Sequence, residues 1–565
     1  MMRYYLILIV LGLFPPSMLG TNRTKISLNG NWEFKQMGQS HWLPAQVPGC
    51  VHLDLLRNKK IPDPFFRDNE TKLFWISEKI WEYQKVFYLP SNWQIGQTKR
   101  IVFEGIDTYA GIYLNGEFLG EADNMFRSWE FKTNRLKAGR NIIRVVFQSP
   151  VQVSDSLARN ASIRRPCENN RHYSRKAQYH FGWDWAPRLP TSGIWRSVYI
   201  ANNEDRIYPS ARYAPVKLIQ EKDSIGESFY FTVEGKPVFM RGANWIPGDV
   251  FLPRMTPARY RQLLIAAKQA NINMLRVWGG GIYEEDIFYD LCDSLGIYVW
   301  QDFMFAGAMY PADSGFIQSI REEVTQNILR LRKHPCIVLW CGNNEIDEAW
   351  HNWGWQNQFQ LSASDTAFLW REYRQIFHEL LPDLVNQFDP QRNYITTSPQ
   401  IGWGRKESMT QGDSHYWGLW WGLQPITVLK EKVPRFMSEY GMQAMPNWSS
   451  ILKYSIPADW DTSSLVMKVH QKHPTGYSTL ANYLQQENLQ VKNFKEFIVA
   501  TQEIQHRVIK TAVEAQINSK GRCMGSLFWQ FNDCWPVCSW SVVDYYGGRK
   551  KGYYTMQNAY KQAAK

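Results

Sequence analysis

Ile337-Val-Leu-Trp-Cys-Gly-Asn-Asn-Glu345 decides the fold. Its opening residues are apolar and β-branched, as in a strand of a parallel sheet buried on both faces, and the run ends in a carboxylate. Desolvating a carboxylate there is costly unless it has partners or work to do. About ninety residues on, Arg435-Phe-Met-Ser-Glu-Tyr-Gly441 repeats the arrangement with Glu439. A single Asn-Glu pair is more often a surface turn. The apolar run in front of it favours a strand whose end opens onto a barrel mouth.

The surrounding sequence has the same grammar of strand then helix. Strands are expected at Val238 to Asn244, Met274 to Trp278, Ile297 to Phe303, Ile337 to Glu345, Tyr394 to Ser398, Gly412 to Trp417, Arg435 to Tyr440 and Met524 to Phe531. Helices are expected near Arg259 to Asn271, Glu284 to Leu295, Phe316 to Lys333, Phe494 to Ser519 and Tyr553 to Ala564. Eight such strands make a (β/α)8 TIM barrel over residues 229–565, with its active site at the carboxyl ends of the strands. Glu345 belongs to the fourth strand and Glu439 to the seventh, which face each other across the mouth.

Upstream, Trp32-Glu-Phe, Trp81 to Leu89, Arg100 to Glu104, Gly111 to Gly116, Asn141 to Gln148 and Trp195 to Ile200 are short alternating segments between turn residues. With Asn115-Gly116 as a hairpin signal, they predict an antiparallel, jelly-roll-like β-sandwich over residues 24–203. Residues 204–228 are polar and charged apart from Ala214-Pro-Val-Lys-Leu-Ile219, and read as a linker or the remnant of a missing domain. Tyr4 to Phe14, broken at Pro15-Pro16, suits the core of a signal peptide over residues 1–20 and is too short to span a bilayer. Export leaves periplasm, secretion and lysosome open.

At 565 residues the chain needs more than one core. Its 26 Trp, 29 Tyr and 29 Phe suit stacking on sugar rings as well as they suit large packed β-domains. The net charge of +12 is spread out rather than gathered in a stripe, so nucleic acid is not an expected partner. Of the eight cysteines, Cys534 and Cys538 are close enough to suggest a small disulfide loop, while Cys336 and Cys341 would face opposite sides of a strand. No CxxC spacing or paired histidines point to a metal, and no cofactor is expected. Asn22, Asn69, Asn160 and Asn447 sit in glycosylation sequons, which matter only in a source that glycosylates.

Two carboxylates facing one bond suit glycoside cleavage: one protonates the leaving oxygen, and the other attacks or stabilises the oxocarbenium centre. Asn344, beside the first, can hold a sugar 2-hydroxyl.

With these residues laid out, the chain resembles glycoside hydrolase family 2, and within it the β-mannosidases. The matching motifs are Gly182-Trp-Asp-Trp-Ala-Pro187, Phe239-Met-Arg-Gly-Ala-Asn-Trp-Ile-Pro247, Arg276-Val-Trp-Gly-Gly-Gly281, Trp300-Gln-Asp-Phe303, Trp340-Cys-Gly-Asn-Asn-Glu345, Ser438-Glu-Tyr-Gly441 and Phe528-Trp-Gln-Phe-Asn-Asp533. The resemblance implies a retaining exo-enzyme acting on oligosaccharides, with Glu345 as acid/base and Glu439 as nucleophile. It implies that Asn344 and Arg276 support the site, that Trp183 and Asp184 reach in from the galactose-binding-like first domain, and that Trp300, Tyr416 and Trp529 line the subsite. From the residues alone, Trp183 to Trp185 also read as a buried corner of the sandwich, Trp300 and Trp529 as barrel packing, and Arg276 as a charge that keeps a carboxylate ionised. A hydrogen bond from Tyr416 is expected to orient Glu439.

The chain departs from the family at residues 204–228, where an immunoglobulin-like sandwich of about 100 residues is expected. Its loss would threaten the position of Trp183 and Asp184. That departure raises a second reading, an inactive glycan-binding homologue; a third keeps the enzyme but changes the sugar, since relatives in the family are expected to cleave β-galactosides, β-glucuronides or β-glucosaminides with the same two glutamates. The sequence leaves oligomeric state open.

Overall fold

A computed structural model describes residues 25–91, 97–204, 207–212 and 216–563; the expected signal peptide lies outside the described residues. All eight barrel strands are present: Met240–Trp245, Met274–Val277, Tyr298–Asp302, Ile337–Cys341, Asn393–Ile395, Asp413–His415, Phe436–Glu439 and Gly525–Phe528. They pair in parallel, and the eighth returns to the first with Met240 to Ala243 opposite Gly525 to Phe528. The backbone ladder is interrupted only between the fifth and sixth strands. There Asp413 stitches the seam, accepting from Ser398 Oγ at 2.6 Å and from the Gln400 N–H at 2.9 Å.

The expected helices lie at Pro257–Gln269, Asp286–Leu295, Ser314–Leu331, Phe494–Asn518 and Lys551–Ala563, each burying one face against the strands. Ile346–Asn352 and Ala363–Arg374 are further helices that the strand-and-helix pattern had left unassigned. Among the described residues no helix is long and apolar enough to cross a membrane.

The amino-terminal sandwich consists of a six-stranded and a four-stranded antiparallel sheet. Asn115 and Gly116 take φ of 53° and 90° in the turn joining Ala110–Leu114 to Glu117–Ala122, the left-handed pair that a tight hairpin requires.

Three sequence expectations are corrected. The 204–228 segment is more than a linker: Val216–Ile219 pairs with Tyr230–Val233, which pairs with Lys236–Val238. This small sheet closes the lower end of the barrel, with Phe229 and Phe231 packed on Phe436. Cys534 and Cys538 form no disulfide, and all eight cysteines are free thiols. The fourth strand ends at Cys341, so Glu345 lies four residues beyond it.

The sandwich sits directly on the barrel. Arg175 makes a buried ion pair with Glu323 of the Ser314–Leu331 helix, 2.6 Å and 2.8 Å to its two oxygens, and donates to the Met304 carbonyl. Arg171 donates to the carbonyls of Ala306 and Gly307, and Asn124 to Glu323. The Tyr179 N–H reaches the Gly280 carbonyl at 3.1 Å.

Candidate active site

Glu439 ends the seventh strand, fully enclosed by its neighbours. Glu345 occupies a left-handed turn, φ 59°, at the start of the Ile346–Asn352 helix. That conformation costs about 1–2 kcal/mol in a residue with a Cβ, and it is held by the Glu345 N–H bonded to the Ser398 carbonyl. The turn aims the carboxylate inward instead of along the strand. One oxygen of Glu345, one of Glu439 and Nδ1 of His415 all lie within 4.8 Å of one another.

Arg276, on the second strand and fully buried, spends every N–H on this site. Nε and Nη2 clasp Asp302, Nη2 also reaches Asn344 Oδ1 at 2.8 Å, and Nη1 bonds Glu439 Oε1 and Asn244 Oδ1. A guanidinium fixed against Glu439 favours its ionised form. Asn344, oriented by Arg276, turns its amide nitrogen to within 3.3 Å of Glu345 Oε2.

Burial pushes Glu345 and Glu439 up to about 7, partly offset at Glu345 by Arg276 and the Asn344 amide and at Glu439 by the Arg276 charge and hydrogen bond. Burial takes His415 down to about 4, so the ring is neutral at pH 7. Its Nδ1 lies 2.9 Å from Glu345 Oε1 and 3.4 Å from Glu439 Oε2. Three such atoms could meet a divalent cation, but the Arg276 charge already sits against Glu439, which argues against one.

Around the Asp184 loop the indoles form a cluster. Trp183, half-buried, packs edge-on against Trp278 with centroids 4.7 Å apart; Trp278 meets Trp529 at 5.7 Å and Trp185 at 5.4 Å. The Trp535 indole N–H fastens the loop by its bond to the Trp185 carbonyl. Trp185 is thus the buried corner that the sequence allowed for, while Trp183 stays partly exposed. Between them, the Asp184 carboxyl is pushed up to about 8, first by burial and then by the nearby charges of Glu345 and Glu439.

Two expected site residues lie elsewhere. Trp300 is buried one layer below the mouth, stacked on Phe229 with its indole N–H on Asp302, so the barrel-packing reading holds for it. The Tyr416 hydroxyl bonds Gln424 and not Glu439, which it meets only through its backbone N–H at 2.8 Å. The side chain that contacts both glutamates is its neighbour His415. His415, Asp302, Asn244 and Trp278 were missed as site residues. Alternation could have found Trp278, since it lies two residues past Arg276 and so shares its face.

Residues 32–196 match the family model described as the glycosyl hydrolase 2 galactose-binding domain-like domain. The β-mannosidase of Bos taurus is 33% identical across 94% of this chain and 75% of its own length. The chain belongs to glycoside hydrolase family 2, among the β-mannosidases. β-Mannosidase B of Thermothelomyces thermophilus is likewise 33% identical, across 95% of this chain and 76% of its own. A crystal structure of a β-D-mannosidase from Dictyoglomus thermophilum superposes with a TM-score of 0.88 at 36% identity, over 95% of this chain and 78% of that one. The bovine match runs over 674 positions while covering 94% of 565 residues, so more than a hundred positions have no counterpart here.

Proposed function

We propose that this family 2 hydrolase is an exo-acting, retaining β-mannosidase that removes terminal non-reducing β-D-mannose from oligosaccharides such as N-glycan cores. The observation that carries the reading is the approach of Glu345 and Glu439, whose nearest oxygens lie within 4.8 Å. Double displacement needs carboxyl groups roughly 5–5.5 Å apart, whereas inversion needs about 6.5–9.5 Å to admit a water.

On this reading Glu439, whose carboxylate form Arg276 favours by direct contact, attacks the anomeric carbon. Glu345, which Arg276 does not contact directly, delivers its proton to the glycosidic oxygen as the C–O bond breaks. After the aglycone leaves, Glu345 takes a proton from water, which attacks the glycosyl ester and frees Glu439. Trp183, Trp278 and Trp529 offer faces to the sugar ring, Asn344 an amide to its 2-hydroxyl, and Asp184 hydrogen bonds to the hydroxyls farthest from the scissile bond. The indole cluster closes the pocket on one side, which suits release of single terminal sugars. Export rests on the apolar amino-terminal run.

Release of nitrophenol from nitrophenyl β-mannoside, β-galactoside, β-glucoside, β-glucuronide and β-N-acetylglucosaminide tests the assignment. Turnover of the mannoside alone, lost in Glu345→Ala and Glu439→Ala, is expected. Preference for another sugar would move the chain to a different family 2 specificity, and no turnover from folded protein would refute the enzymatic reading.

A further inference from the structure

His415 is neutral, so only one of its ring nitrogens carries a hydrogen, and the groups around it decide which. On the far side of the ring, Nε2 lies 3.0 Å from Ser398 Oγ. That hydroxyl has one hydrogen, and Asp413 Oδ2 claims it at 2.6 Å; two oxygens so close, one of them a carboxylate, need the proton between them. Ser398 therefore faces His415 with a lone pair. The other donor near Nε2 is Arg276 Nη1 at 3.5 Å, but both Nη1 hydrogens are committed, to Glu439 Oε1 and Asn244 Oδ1. Nothing remains to donate to Nε2, so Nε2 bears the hydrogen and gives it to Ser398. Nδ1 is left with a lone pair 2.9 Å from Glu345 Oε1, a separation that calls for a hydrogen on the carboxyl. Glu439 Oε2, the other charged group facing Nδ1, stands off at 3.4 Å, its charge balanced by Arg276.

We infer that Asp413 and Ser398 fix the tautomer of His415, making Nδ1 an acceptor that holds the proton of the acid/base on Glu345. His415, Ser398 and Asp413 are then positioning residues. The inference rests on the roles proposed above for the two glutamates. It also gives a reason for Asp413 to close the barrel seam: the group that joins the fifth and sixth strands also sets the protonation state of the mouth.

The test is the pH dependence of kcat/KM on nitrophenyl β-mannoside in the full chain and in Ser398→Ala, Asp413→Asn and Ser438→Ala. Without the Ser398 hydroxyl, Nε2 has nothing to donate to. Without the Asp413 carboxylate, the Ser398 hydroxyl is free to donate to Nε2. In both cases the ring settles with its hydrogen on Nδ1, pointing at Glu345 and favouring the carboxylate. The alkaline limb, set by Glu345, is expected to fall by about one pH unit in both variants while the acid limb, set by Glu439, stays in place. Ser438 also donates to Asp413 Oδ2, at 2.5 Å, but does not touch His415, and its loss is expected to leave the alkaline limb where it was. The Ser398→Ala deficit should also be larger on mannobiose, whose leaving group needs a proton, than on dinitrophenyl mannoside, whose leaving group does not. Unmoved limbs in both Ser398→Ala and Asp413→Asn, an equal shift in Ser438→Ala, or equal deficits on the two substrates would overturn the inference. No turnover by the unsubstituted chain would overturn the functional reading and this inference together.

Discussion

Glu439 ends a strand whose residues are all buried and which lies between two parallel neighbours. Asp184 hangs on a loop of another domain, and its position depends on how that domain docks. On the proposed reading the two meet at one sugar ring, although the chain between the two domains forms only a three-stranded floor under the barrel. The fixed half of the site is built by the barrel's own register. The borrowed half is held by side chains: Arg175 on Glu323, Arg171 on the Ala306 and Gly307 carbonyls, and Trp535 on the Trp185 carbonyl. In this chain those contacts hold the loop that carries Trp183 and Asp184.

Substitutions can break either half. Glu439→Ala, in the fixed half, should lower kcat/KM on nitrophenyl β-mannoside on the order of 10⁴-fold or more with little change in melting temperature. Arg175→Ala attacks the docking. Removing one partner of a buried ion pair costs about 3–5 kcal/mol, and a loop shift on the order of 1 Å costs about 100-fold in rate. Both a lower melting temperature and a kcat/KM loss near that size are expected, and unchanged kinetics in Arg175→Ala would show that the loop is held by something else. Asp184→Asn leaves the docking intact and should cost about 10- to 100-fold, mostly in kcat/KM.

The same Asp184→Asn variant carries a pH signature. The Asp184 carboxyl is pushed up to about 8 in the folded chain, so the fold keeps a proton that the unfolded chain releases near pH 4. The stability linked to that proton is present below about pH 4 and is lost as the pH rises towards 8. The melting temperature of the variant should therefore gain on the parent as the pH is raised from 5 to 8, and a constant difference would contradict the burial of this carboxyl. Smallest of all, Tyr416→Phe should change kcat by about threefold or less, since its hydroxyl bonds Gln424 rather than Glu439.

The same division governs what could be read from the sequence. Most of the strands were legible because strands buried on both faces are written as apolar runs, the polar sixth, Asp413–His415, being the exception, and the two glutamates because they follow such runs. Depth within the barrel was less legible. Trp300 and Asp302 share a face of the third strand, but two residues along a strand is a step of roughly 6.6 Å, so Trp300 lies in the packed layer while Asp302 reaches Arg276. The αL turn of Glu345 and the role of His415 could not be read, because both depend on partners, Ser398 and Asp413, supplied by other strands. Trp183 and Asp184 were proposed through the resemblance, with an acid between two tryptophans as the local hint; nothing local in their loop indicates that it docks on another domain.

The most direct test of the account is to incubate the chain with 2-deoxy-2-fluoro-β-mannosyl fluoride and map the labelled peptide by mass spectrometry. The fluorine slows hydrolysis of the glycosyl ester, so a retaining site trapped midway keeps its sugar. One fluoromannosyl group per chain, on Glu439, is the predicted result, and it requires both halves of the site to act together. Folded protein that takes no label, or takes it on another residue, would contradict the account.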